Sequence, residues 1–219
     1  MEEDDLADGW FPESVAADYD TPGGANAPEV VVPMVDVLED LADRGPVLEF
    51  AVGTARVEVT IGDMTTTRAA GQFSLVYLVF NTISNVTTQD GQVDVFCNAA
   101  AHLRRDGLFL IEVGVPDLRR LPPGQDTVPF TVAPGREGGG YLGFDQYDTA
   151  TQQFTSNHVT VSADGHGRFR RIPFRYAWPA EMDLMARIAG LSLTYRWAGW
   201  DRSPFTAEST AHVSVWRKP

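Results

Sequence analysis

Residues 47–64, VLEFAVGTARVEVTIGDM, hold two segments of parallel-sheet character with almost nothing between them. PVLEFAV and RVEVTI are both strands by their β-branched content. Parallel neighbours need a crossover of about a dozen residues or more, and FAVGTARVEV supplies only a tight turn. A continuous chain here forms an antiparallel hairpin about Gly53–Thr54. Three explanations stay open: the recorded sequence omits a segment between Val57 and Glu58, the gene carries an internal deletion, or the two strands are directly joined. In the first case the strands run parallel, and the Cα atoms of Val57 and Glu58 stand well beyond the roughly 3.8 Å of a trans peptide.

Beyond this junction the chain reads more simply. FSLVYLVF and LFLIEVGV are nearly continuous apolar runs, as in strands buried on both faces of a parallel sheet. TQDGQVDVFCNAAAHLRRDG between them reads as an amphipathic helix closed by Gly107, completing a strand–helix–strand unit. The core sheet is expected to contain 47–51, 57–61, 73–79 and 107–113, with 73–79 at its centre. Upstream, PEVVVPMVDVLEDLADRG carries Val31, Met34, Val35, Leu38 and Leu41 on a helical stripe, with Gly45 placed as its cap. Residues 117–177 change to short strands with turn signals, an antiparallel meander, and GREGGGY at 135–141 reads as a loop. PAEMDLMARIAG is a helix opened by proline, and SLTYRWAGW and AHVSVWRK form a terminal strand pair. The expected organisation is an acidic flexible segment (1–26), an α/β core (27–116), an antiparallel covering region (117–177), and a helix and strands that complete the core (178–219).

Composition removes several partners. The net charge of −13 opposes nucleic acid and anionic membranes, both of which require a basic surface. Cys97 is the single cysteine, which excludes an internal disulfide and any cysteine-based cluster; it reads as a buried structural thiol. No apolar run approaches the roughly 20 residues of a membrane span, and the acidic N-terminus has no basic n-region. A cytoplasmic setting is expected. The chain has no H-x-x-x-H, C-x-x-C or clustered acidic set, and no G-x-S-x-G.

In this order the segments resemble a class I S-adenosylmethionine-dependent methyltransferase of the small-molecule type, over roughly residues 15 to 217. VLEFAVGTARV is similar to the family's first motif, a strand followed by an acidic residue and a glycine-rich turn. TIGDM is similar to the strand end whose aspartate faces the adenine. FSLVYLVFNTISNV, NAAAHLRRDGLFLIEV and the C-terminal segments correspond to the fourth strand, the following helix and fifth strand, and the end of the fold. The resemblance implies a Rossmann-like sheet with an inserted antiparallel meander, and S-adenosylmethionine as cofactor. It places Glu49 at the cofactor's amino-acid end, Ala51 and Gly53 in the turn, and Asp63 and Met64 at the adenine. Phe80, Asn81 and Thr82 line the sulfonium and the acceptor's entrance, and Tyr19 closes over the cofactor. Trp10, Tyr141, Phe144, Tyr147, Tyr176 and Trp200 are candidates for the acceptor pocket, and His158 for a general base.

Each assignment has a plainer alternative. Glu49 can be an exposed strand residue, Asp63 a cap of the following turn, Asn81 and Asn85 turn formers, and Tyr19 a packing aromatic. His158 can be a surface strand residue, and His102, His166 and His212 read as structural. Ala51 and Ala55 stand where the family prefers glycine, and no residue takes the ribose-binding role expected roughly 20 residues past the turn. The leading function is methyl transfer to nitrogen or oxygen of a small metabolite. A degenerate methyltransferase fold acting as a binding or regulatory module is the alternative, and a nicotinamide-binding domain is a weaker third. The expected partner is a small-molecule acceptor, with a homodimer left open and neither nucleic acid nor membrane involved.

Overall fold

The computed structural model describes residues 28–51, 58–135 and 138–219, and side chains from Val31 onward. These fall in two compact units, one reaching to Arg44 and the other running from Gly45 to Pro219. Among the described residues no helix is long and apolar enough to cross a membrane.

The first unit contains α1 (Pro28–Ala42), with Pro33 inside it. Val37, Leu38 and Ala42 are buried while Val35 is exposed, so the buried stripe is rotated slightly from the expected one. The helix does not end on Gly45. Asp43 and Arg44 take the left-handed conformation at φ 46° and 57°, closing the last turn without glycine.

The second unit is built on a sheet of β1 (Val47–Glu49), β2 (Phe73–Leu78), β3 (Leu103–Gly114), β8 (Ser192–Trp197) and β9 (Ala211–Arg217), in the order β1-β2-β3-β9-β8, so β3 and not 73–79 is the central strand. β1, β2 and β3 are mutually parallel. β9 is antiparallel to both β3 and β8, which leaves β8 parallel to β3. The β2–β3 crossover is α2 (Gln89–His102), whose first turn is capped by the Thr88 hydroxyl accepting from the Gly91 N–H at 3.1 Å. α2 ends at Leu103 rather than at Gly107, because residues 103–106 already belong to β3. α3 (Pro179–Ile188) starts on proline and closes on Gly190 at φ 77°. Phe96, Phe109 and Trp216 meet at ring-centroid distances of 5.1 to 6.1 Å in the core between the sheet and these helices. Burying each such ring contributes about 2–3 kcal/mol. Cys97, expected to be buried, is only half so.

Residues 58–61 form no strand, against expectation. Their β-branched side chains favour extended backbone, but a strand exists only as part of a hydrogen-bonded ladder, and β1 pairs only with β2 among the described residues. Val59 and Ile61 are accordingly 55% and 95% exposed. The hairpin alternative for 47–61 is therefore not realised in the described residues; Gly53 and the Val57 side of the junction lie outside them.

Between β3 and α3 the chain forms a second, antiparallel sheet of β4 (Thr127–Pro134), β5 (Gly140–Asp148), β6 (Gln153–Val161) and β7 (Gly167–Arg175), in sequence order. One buried network anchors it. Arg175 reaches Gln92 of α2 at 2.6 Å and Glu181 of α3 at 2.7 Å, and Glu181 also accepts from Gln152 and Gln89 at 2.7 Å each.

Candidate active site

Parallel pairing brings the carboxyl ends of β1, β2 and β3 together, so a site can form there from residues far apart in sequence. Glu49, at the end of β1, is registered against Tyr77 of β2. The Tyr77 hydroxyl donates to Glu49 Oε2 at 2.7 Å. Burial pushes the Glu49 carboxyl above its ordinary range, and the tyrosine bond opposes that. Tyr77 itself is pushed up, first by burial and then by its bond to Glu49. Two residues on, Ala51 has φ +57°. The chain therefore makes the glycine-type turn here with a methyl group in place.

A cavity of about 680 Å³ runs along β1 and is lined by Glu49, Ala51, Asp63 and Met64, with Phe73, Tyr77 and His102 also contributing. Four residues assigned to the cofactor from the sequence thus share one cavity. The segment carrying Asp63 is fixed to α2. Asn98 Nδ2 donates to the Met64 and Thr67 carbonyls at 2.7 and 3.0 Å, and His102 Nε2 accepts from the Ala69 N–H at 2.9 Å. His102 Nδ1 lies 2.8 Å from the Asn98 carbonyl and carries the ring proton, since Nε2 is an acceptor. Asp63 is exposed, and its Oδ1 accepts from both the N–H and the hydroxyl of Thr65, at 2.8 and 2.7 Å. These bonds hold its carboxyl below the usual range, backbone bond first, and they make Asp63 a turn cap as well as a cavity residue.

Phe80, Asn81 and Thr82 do not line that cavity; they form the turn that ends β2. Phe80 and Asn81 are both left-handed, at φ 56° and 58°. Left-handed backbone is uncommon for a bulky residue and easier for asparagine. Glu112 of β3 receives the Phe80 N–H on Oε2 at 2.7 Å, and Asn81 Oδ1 receives the Gly114 N–H at 2.6 Å. Burial raises the Glu112 carboxyl, against the backbone bonds from Phe80 and Asn81.

The antiparallel sheet separates residues that the sequence reading grouped. Tyr141 and Phe144 are three apart on an unbroken register of β5, so period-two alternation sends them to opposite faces. They cannot form one wall of an acceptor pocket. Phe144 contacts Phe169 at 6.4 Å between ring centroids. The Tyr141 hydroxyl lies 2.5 Å from His158 Nδ1, and Ser156 Oγ lies 3.3 Å from His158 Nε2. Burial, followed by the Arg170 charge, lowers the His158 pKa, while Asp145 opposes. Tyr176 is buried beside Tyr147 at 6.1 Å. Trp200 follows β8, at the same end of the large sheet as the carboxyl ends of β1 to β3 but three strands from β2. Trp10 and Tyr19 lie outside the described residues. Sequence reasoning missed Tyr77 and Glu112. Glu112 carries a legible signal, a charged residue inside the apolar run LFLIEVGV.

Comparison with solved structures shows which fold this is. The chain is similar to the CcbJ methyltransferase from Streptomyces caelestis, with 28% identity over 93% of this chain and 96% of that one, at a TM-score of 0.79. The chain has the fold of the class I S-adenosylmethionine-dependent methyltransferases. The same methyltransferase fold recurs in S-adenosylmethionine-bound CalS10, an amino pentose methyltransferase from Micromonospora echinaspora, at 13% identity, 97% and 99% coverage of this chain and that one, and TM-score 0.66. It recurs again in the sugar N-methyltransferase KedS8 from Streptoalloteichus, at 12% identity, 100% and 98% coverage, and TM-score 0.63. No family model and no curated protein matches the chain. The cofactor of this methyltransferase family is S-adenosylmethionine. Its second strand, with the ribose carboxylate, has no counterpart among the described residues.

Proposed function

We propose that the chain catalyses transfer of the S-adenosylmethionine methyl group to a nitrogen or oxygen of a small metabolite. The observation that carries this is the parallel β1–β2 pairing, which sets Glu49 and the Phe80–Thr82 turn at the same end of adjacent strands. S-adenosylmethionine, when bound, supplies an electrophilic methyl carbon for in-line displacement. The protein's contribution is then mainly alignment. Glu49 offers a half-buried carboxylate to a cationic amino-acid end, and Asp63 with Met64 forms the adenine end of the same cavity. Phe80, Asn81 and Thr82 wall the reacting centre. An amine acceptor arriving neutral needs no base; for a protonated amine or a hydroxyl, His158 is the acceptor of the proton. Its lowered pKa keeps the ring neutral near pH 7, and Tyr141 and Ser156 orient it.

The second reading is a binding or regulatory module on the same fold. It is favoured by the left-handed Ala51, by the Thr65 bonds that occupy Asp63 Oδ1, and by the lack of a ribose carboxylate among the described residues. Calorimetric titration with S-adenosylhomocysteine separates the two. Binding in the micromolar range supports the transferase, whereas no heat at millimolar ligand leaves the module reading.

A further inference from the structure

We propose that Glu112 is the positioning residue of the methyl-transfer site, acting through the Phe80 backbone; this rests on the methyl-transfer reading above. β2 runs out at Leu78, and the next residues must turn sharply in front of the sheet. Two consecutive left-handed residues at 80 and 81 make that turn. Asparagine is suited to this conformation and phenylalanine is not, so the turn depends on bonds from outside β2.

Those bonds converge from β3. The Phe80 N–H donates to Glu112 Oε2 at 2.7 Å, a charge-assisted bond of the stronger kind. The Asn81 N–H points to the Glu112 carbonyl at 3.4 Å, and the Gly114 N–H donates to Asn81 Oδ1 at 2.6 Å. Local closure comes from Thr82, whose N–H and hydroxyl donate to the Val79 carbonyl at 3.2 and 2.6 Å, and from the Ser84 N–H on the Asn81 carbonyl at 2.9 Å; none of these holds the Phe80 N–H. Gly114 also fits this role, because a Cβ there would come within 3.3 Å of Asn81 Oδ1.

Glu112 is flanked by the buried Ile111 and Val113. A carboxylate half-buried in such a strand is unfavourable unless its bonds are needed. Its side chain reaches one strand over and fixes the peptide that presents the Phe80 ring and the Asn81 side chain. Glu112 thus connects the end of the central strand to the wall of the reacting centre without itself touching a reactant.

The test uses the full chain, selectively 15N-labelled at phenylalanine, with S-adenosylhomocysteine as the probe. In wild type the Phe80 amide lies downfield and moves as the Glu112 carboxyl titrates. In E112Q the amide oxygen still accepts, so the resonance stays downfield but no longer titrates, and affinity for the probe falls by no more than about threefold. E112A loses the downfield resonance and roughly tenfold or more in affinity. A Phe80 amide that does not respond to Glu112 titration, or an E112A protein that binds as well as wild type, overturns the proposal. So does an E112Q protein as weak as E112A, since the charge and not the held N–H would then be at work. If E112A does not fold, the wild-type titration and E112Q decide alone. Failure of wild type to bind the probe overturns the methyl-transfer reading instead, and the amide signal still decides whether Glu112 sets the turn.

Discussion

Tyr77 and Glu49, 28 positions apart in sequence, share a 2.7 Å hydrogen bond across the β1–β2 ladder. The bond exists because parallel register sets the two Cα atoms directly opposite, with both side chains on one face of the sheet. It partly offsets the burial that pushes the Glu49 carboxyl up. Tyr77→Phe removes the donor and keeps the ring. The Glu49 carboxyl then rises further, which carbon-detected titration of the glutamates will report. Stability at pH 7 falls by about 1 kcal/mol, the usual scale for one bond lost from a half-buried acceptor. An unmoved Glu49 titration excludes the bond in solution.

Ala51 offers a test with the opposite sign. Left-handed backbone is unfavourable for an L residue with a Cβ by about 1–2 kcal/mol, and glycine's greater freedom in the unfolded chain returns about 0.5–1 kcal/mol of that. Ala51→Gly is therefore expected to stabilise the protein by about 0.5–1 kcal/mol, seen as a higher urea midpoint at unchanged slope. A lower midpoint rejects the left-handed assignment.

The elements most legible in the sequence are those whose burial is complete. FSLVYLVF and LFLIEVGV read as inner parallel strands because both their faces are covered, and Pro179 with Gly190 marks α3 at both ends. The antiparallel meander expected within 117–177 is there as β4 to β7, legible from its turn signals. Residues 58–61 were not, since β-branched content reports a backbone preference and says nothing of whether a neighbouring strand exists to pair with. Of the cavity lining, Glu49, Asp63 and Met64 stand in segments that the sequence singles out. Which side chains answer them depends on register, and register between distant parallel strands leaves no local trace. Tyr77 was hidden for that reason. The grouping of Tyr141 with Phe144 failed differently: their spacing of three already places them on opposite faces once β5 is a regular strand.

Arg175 and Glu181 form an ion pair at 2.7 Å with side chains only 5% and 15% exposed. Burial alone would raise the Glu181 carboxyl; bonds from Gln152, Arg175 and Gln89, with the Arg175 charge, outweigh it and leave the pKa lowered. A carboxylate with a depressed folded pKa contributes stability above its unfolded value, here 4.5, and loses it as pH falls through the folded value. Replacing Arg175 with Met leaves Glu181 buried without its cation and is expected to destabilise by about 3–5 kcal/mol. Because the pair also anchors β7 to α2 and α3, hydrogen-exchange protection in β4 to β7 should fall more than in β2 and β3. Equal loss in both sheets argues that the pair holds the whole unit and not this junction.

The widest pH effect is expected at His212, which is fully buried on β9. Arg196 Nε donates to Ser214 Oγ at 2.8 Å, and Ser214 lies 2.8 Å from His212 Nδ1. Ser214 accepts from arginine and keeps both a second lone pair and its proton, so it pairs with the neutral imidazole in either tautomer. Nε2 has no hydrogen-bond partner among the described residues. Burial first, and then the Arg196 charge, lower the His212 pKa to about 4 from the ordinary 6.5, with Asp183 opposing. Protonation is thus favoured in the unfolded chain, so stability is complete above about pH 6.5 and drains away as pH falls toward 4. The difference amounts to about 3 kcal/mol across that window. His212→Met fills the same space with a side chain that does not titrate, and it should flatten the slope of unfolding free energy between those limits. A wild-type slope that survives in this variant assigns the acid sensitivity to other groups, and an imidazole that titrates near its ordinary value excludes the buried neutral form.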